Sequence, residues 1–103
     1  MKTYNKLVRD KIPEIMLKSG AKPVTKILNQ DEYTLCLEKK LDEEVLEYHQ
    51  GKNLEELADI LEVVYAICEA KGHTTDDLLS VYQKKHQERG GFKDKIFLIG
   101  DNQ

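Results

Sequence analysis

Residues 41–62, LDEEVLEYHQGKNLEELADILE, decide the fold of this chain. They hold eight carboxylates, several of them at places where an amphipathic helix should be apolar. The spacing on both sides of Gly51-Lys52 is helical, and that pair marks the break. Asn53 is a good N-cap for a helix starting at Leu54. The stretch therefore reads as the turn of an antiparallel helical hairpin, and the acids need an explanation.

Outward from the turn, Asp31 is expected to cap a first long helix of about 18 residues, ending near His49. The second runs over 54–71 and stops at Gly72. Thr74 or Thr75, with Asp76 and Asp77 behind it, opens a last helix to about Glu88, closed by Gly90-Gly91. Residues 10–19 read as a short helix, with Pro13 in its first turn, Ile12, Ile15 and Met16 on one side, and Gly20 as its stop. KPVTKIL (22–28) and KIFLI (95–99) are β-prone and could pair as a small two-stranded element. The expected class is mostly α, a hairpin with short flanking helices that assembles as a helical-bundle oligomer.

The chain has 103 residues, enough for one domain spanning 1–103. A net charge of −3 supplies no basic field for a nucleic-acid polymer or a membrane surface. The longest run without a charged or strongly polar residue is Val63 to Cys68, too short to span a membrane. MKTYNKLVRDK carries positive charge but no apolar stretch comes after it, so it does not read as a signal peptide. Cys36 and Cys68 do not make a disulfide framework, and reduced thiols in a cytoplasmic protein are expected.

On the second long helix, Leu54, Leu57, Val64, Tyr65 and Cys68 fall within about 60° of Leu61, and this arc is the expected core face. Glu55, Glu62 and Glu69 form a stripe beside it that reads as a solvated edge. Glu56 and Asp59 form another stripe, continued one or two turns on by Val63, Ala66 and Ile67. Acids that continue an apolar stripe are expected to be partly enclosed, which is costly without a cation or donors. Asn53-x-x-Glu56 also fits a capping box, which would account for Glu56 but not for Asp59. On the first helix, Leu37, Val45 and Tyr48 lie within about 40° of Leu41, and Glu44 falls inside the apolar arc between Leu37 and Tyr33, with Glu47 at i+3 from it. Glu43 lies further round.

In a hairpin centred between Gly51 and Lys52, residues whose numbers total about 103 share a level. That pairs Glu44 with Asp59 and Glu47 with Glu56. Four converging carboxylates repel unless a cation joins them. An all-oxygen donor set suits Mg²⁺, Ca²⁺ or Mn²⁺. No histidine stands at either i+3 position, unlike the Glu-x-x-His of di-iron bundles, and no Asp-rich loop of the EF-hand kind is present. Mg²⁺, with Mn²⁺ as a substitute, is expected. It usually completes its shell with water and substrate phosphates, which points to phosphate chemistry.

Glu43-Glu44-x-x-Glu47 and, after a short spacer, Glu56-x-x-Asp59 resemble the EExxE…ExxD signature of the all-α nucleoside triphosphate pyrophosphohydrolases. These are the MazG-like enzymes, related to the dimeric dUTPases and to phosphoribosyl-ATP pyrophosphohydrolase. YNKLVRDKIPEI (4–15) and KHQERGGF (85–92) resemble one subgroup, the predicted house-cleaning pyrophosphatases. The resemblance covers nearly the whole chain, and the three segments in this order are more specific than the acids alone.

It implies Mg²⁺-dependent cleavage of a nucleoside triphosphate to monophosphate and pyrophosphate, in a homodimer or homotetramer. It implies Glu44, Glu47, Glu56 and Asp59 as metal ligands and Glu43 as an outer carboxylate able to orient water. Glu43, Glu44 and Glu47 are then the expected catalytic acids. Lys85 and Arg89, i and i+4 on one helix, match the basic residues near the RGGF-like segment and could clamp phosphates. A solvated helix end accounts for them as well. Lys6, Arg9 and Lys11 could approach the same phosphates or lie on plain surface. Two alternatives remain: phosphoribosyl-ATP pyrophosphohydrolase itself, and a helical binding or regulatory module without catalysis.

Overall fold

Three polar side chains begin the long helices, each taking up a backbone N–H that the first turn leaves without a partner. Asn29 accepts from Glu32 N at 2.9 Å, Asn53 from Glu56 N at 2.9 Å, and Thr74 from Asp77 N at 3.1 Å. The computed structural model describes residues 1–102. They form α1 (Ile12–Lys18), α2 (Gln30–Gly51), α3 (Leu54–Ala70) and α4 (Thr75–Arg89). The chain is mostly α, and α2 and α3 pack as the hairpin.

Several boundaries differ from the sequence reading. Asp31 is not the cap of α2. Asn29 is, because Glu32 returns its carboxylate to Asn29 N and closes a capping box. Asp31 then sits in the first turn, where the helix dipole favours an acid. The helix also runs past His49 through Gly51, and the left-handed residue that ends it is Lys52, at φ 57°. The Lys52 ammonium rests over the Tyr48 ring, 5.6 Å from its centroid. Gly72, at φ 87°, lies just past the end of α3, and α4 reaches Arg89.

The expected pairing of 22–28 with 95–99 is absent. No strand forms among the described residues. A two-stranded ladder alone is marginal in water, and residues 95–99 are exposed throughout. Ile27, Ile96, Phe97, Leu98 and Ile99 accordingly stand in solvent in the single chain.

The hairpin also buries a different face of α3 from the one expected. Leu54 is 80% exposed, Leu57 45% and Leu61 49%. The side turned toward α2 is that of Glu56, Asp59, Val63 and Ile67, and Val63 is buried there with Leu37 of α2. The densest apolar arc is thus not the one the chain covers by itself. α4 packs on α3 only sparsely and leaves most of that arc open.

The single chain is long and thinly filled. Its radius of gyration is 18.2 Å and its extents are 61 × 32 × 24 Å. A compact domain of this length has a radius of about 13 Å. Its solvent-accessible surface is 9533 Å², against roughly 6,000 Å² for a compact monomer of this mass. The surplus exceeds the roughly 800 Å² that one partner gives to a standard interface. The chain is therefore expected to assemble through the Leu54–Leu57–Leu61 arc. Light scattering at micromolar concentration should give a mass at least twice the 11.9 kDa of one chain. Leu57→Glu with Leu61→Glu should lower it, and a stable wild-type monomer would refute the assembly.

Candidate metal centre

The turn between α2 and α3 sets the level at which their side chains meet. Gly51 lets the end of α2 come close to the start of α3. A Cβ added there would lie 3.2 Å from the Asn53 amide nitrogen and 3.4 Å from Glu56 Cγ. Above the turn, Glu44 and Glu47 share one side of α2, and Glu56 and Asp59 share one side of α3. One carboxylate oxygen from each of the four lies within 4.8 Å of the others. This is the convergence that helical phase and the turn position imply.

The cluster is enclosed on one side. Glu44 is 6% exposed, and its Oε2 is buried without a hydrogen-bond partner. Glu56 Oε2 is orphaned in the same way. The capping box expected at Asn53 is half made: Asn53 takes the Glu56 N–H, but Glu56 does not return its carboxylate. That acid is directed into the cluster instead. Burial pushes the Glu44 carboxyl above its ordinary value of 4.5, the neighbouring Glu47 raises it further, and Lys40 pulls it partly back.

Basic side chains rim the acids. Lys40, largely enclosed, lies 3.3 Å from both Glu43 Oε2 and Glu44 Oε1. Lys6 lies 3.5 Å from Glu43 Oε1. Arg9 donates through Nη2 to Asp59 Oδ1 at 2.7 Å. Lys6 and Arg9 are thus at the acids rather than on remote surface. Lys11 is exposed and pairs with no acid among the described residues. Lys85 and Arg89 are exposed on α4, and no ion pair among the described residues joins them to the cluster. Glu55, Glu62 and Glu69 are exposed, as a solvated edge should be. Lys40 is a member of the site that the sequence reading misses, although its i+3 and i+4 relation to Glu43 and Glu44 is the available signal.

The donor set fits a divalent cation. Mg²⁺ binds oxygen at about 2.1 Å, so opposite ligands lie about 4.2 Å apart. The spread of 4.8 Å closes to that with small side-chain movements. The two orphaned oxygens are acceptors with nothing to accept. A cation supplies what they lack, and the absence of sulfur or nitrogen donors favours a hard one.

A 41-residue stretch of this chain is 56% identical to an uncharacterised protein of Mycolicibacterium smegmatis. The match covers 40% of this chain and 42% of that protein, so it spans less than half of either. No family model matches the chain, and no solved structure matches it.

The cluster's electrostatics have two consequences in solution. In chelator, Glu44 holds its proton more tightly when folded than when unfolded. Its contribution to stability is full below the unfolded value of 4.5 and is lost as pH rises through the higher folded value. Glu44→Gln should flatten that decline in melting temperature. At neutral pH, Mg²⁺ should raise the wild-type melting temperature over chelator. The gain is about 1.4 kcal/mol when the ion stands at ten times its Kd, which is several degrees for a chain this size. Asp59→Asn should lose most of that rise, and thermal melts read both effects.

Proposed function

We propose that this protein hydrolyses nucleoside triphosphates to monophosphate and pyrophosphate, with Mg²⁺ held by Glu44, Glu47, Glu56 and Asp59. On this reading it is a nucleotide-pool house-cleaning enzyme. The observation that carries the metal site is the pair of orphaned buried oxygens on Glu44 and Glu56, set among four converging acids. The phosphate chemistry rests on the EExxE…ExxD pattern and on the basic rim of Lys6, Arg9 and Lys40.

A bound divalent ion would supply Lewis acidity, lowering the pKa of a water and offsetting charge on the leaving pyrophosphate. The chain's own groups do the rest. Glu44, enclosed among the other acids, is placed to take a proton from the attacking water. Glu43 is steered by Lys40 and would orient that water. Arg9 and Lys6 bring positive charge to the phosphates. Lys85 and Arg89 would join them only through rearrangement or from a second copy of the chain.

Glu55 and Glu56 separate the site from its surroundings. They are adjacent and alike, but the helix directs them about 100° apart. Glu56→Gln should lower pyrophosphate release on the order of 10²-fold or more. Glu55→Gln, at an exposed position, should stay within a few-fold of wild type. The assay uses Mg²⁺ with a panel of ordinary and modified triphosphates and distinguishes pyrophosphate from orthophosphate. Equal losses in two folded variants would remove the site assignment. An unchanged turnover in Glu56→Gln would reduce that residue to a structural role.

A further inference from the structure

We propose that residues 4–11 form an electrostatic latch on the acid cluster, which a divalent ion releases by competing for Asp59 and by repelling the arm's cations. The proposal rests on the metal reading of the cluster and adds a mode of control to it. The arm reaches the cluster through two ion pairs, Arg9 to Asp59 at 2.7 Å and Lys6 to Glu43 at 3.5 Å. Regular structure does not hold it. Residues 1–9 form no helix, and α1, next in the chain, packs against none of the other three helices. Leu7 and Val8 are partly buried and add apolar contact. An arm held this way depends in part on the charge beneath it.

The charges show why ion and arm compete. Glu43, Glu44, Glu47, Glu56 and Asp59 against Lys40 alone leave −4 when all are ionised. Lys6 and Arg9 reduce that to −2, halving the charge that draws a cation in. An ion on Asp59 would stand close to the guanidinium, and like charges repel. Arg9 is bonded to Asp59 through one nitrogen and its side chain is 52% exposed, so solvent can receive it when it leaves. Once released, Arg9 and Lys6 are two cations beside a metal site with no acid to satisfy. Phosphate oxygens are the partner that suits them.

The test uses the full-length protein and Mn²⁺ alone as probe, at low ionic strength, with free ion measured by electron paramagnetic resonance. Arg9→Gln should bind Mn²⁺ roughly two- to fivefold more tightly than wild type, the worth of an exposed ion pair. Lys6→Gln should shift affinity the same way. Lys71→Gln removes the same charge twelve residues beyond Asp59, about 18 Å along α3, and should leave affinity unchanged. Mg²⁺ should also speed amide hydrogen exchange over residues 4–11. Equal or weaker Mn²⁺ binding by Arg9→Gln would overturn the latch, since Arg9 would then be orienting Asp59 for the ion. Exchange over 4–11 that Mg²⁺ leaves unchanged or slows would overturn it too. If wild type and Glu56→Gln alike bind no Mn²⁺, the metal reading itself falls, and the latch with it.

Discussion

Carboxylates crowded within 4.8 Å of one another oppose the hairpin that brings them together. Each loses water, and each repels the rest. The local devices of the fold act against that repulsion. Asn29 and Asn53 start α2 and α3 at fixed residues, which fixes the phase of every side chain along them. Lys40 lies against two of the acids, and burial, with Glu47 beside it, raises the Glu44 carboxyl, so that a proton there relieves part of the cost. Below the cluster, Val63 of α3 and Leu37 of α2 are the buried apolar residues of the hairpin. A proton, a basic side chain and a metal ion are alternative answers to one electrostatic demand.

The acid cluster is legible in the sequence because two regular quantities define it, helical phase and the position of the turn. Glu44 with Asp59 and Glu47 with Glu56 come from those two quantities alone. The Leu54–Leu57–Leu61 arc misleads for a related reason. Apolar density says that a face will be covered but not by which chain, and α2 lies on the other side of α3. The Arg9–Asp59 pair is not legible as a contact, because fifty residues separate its members and the arm has no period to extrapolate. The segments 22–28 and 95–99 carry local strand preference without any partner, and preference alone does not build a ladder.

These differences share a direction. What the chain does by itself is close a hairpin around its acids. What it leaves undone is the covering of Leu54 and of the apolar residues at 96–99. The polar interior is settled within one chain, while much of the apolar surface stays exposed. The usual division of labour, an oily centre first and polar groups arranged around it, is reversed here.

The turn at Gly51, Lys52 and Asn53 has a consequence for how this chain can vary. Surface connections ordinarily accept added or lost residues, because only their ends matter. This one acts as a ruler. One residue more would rotate α3 by about 100° relative to its present phase, so that Glu55 and not Glu56 met Glu47. Both helices would still form, both would still be capped, and the composition would hardly change. The four oxygens would nevertheless no longer share a centre. An exposed connection of two residues, Lys52 and Asn53, is therefore among the places least tolerant of a change in length.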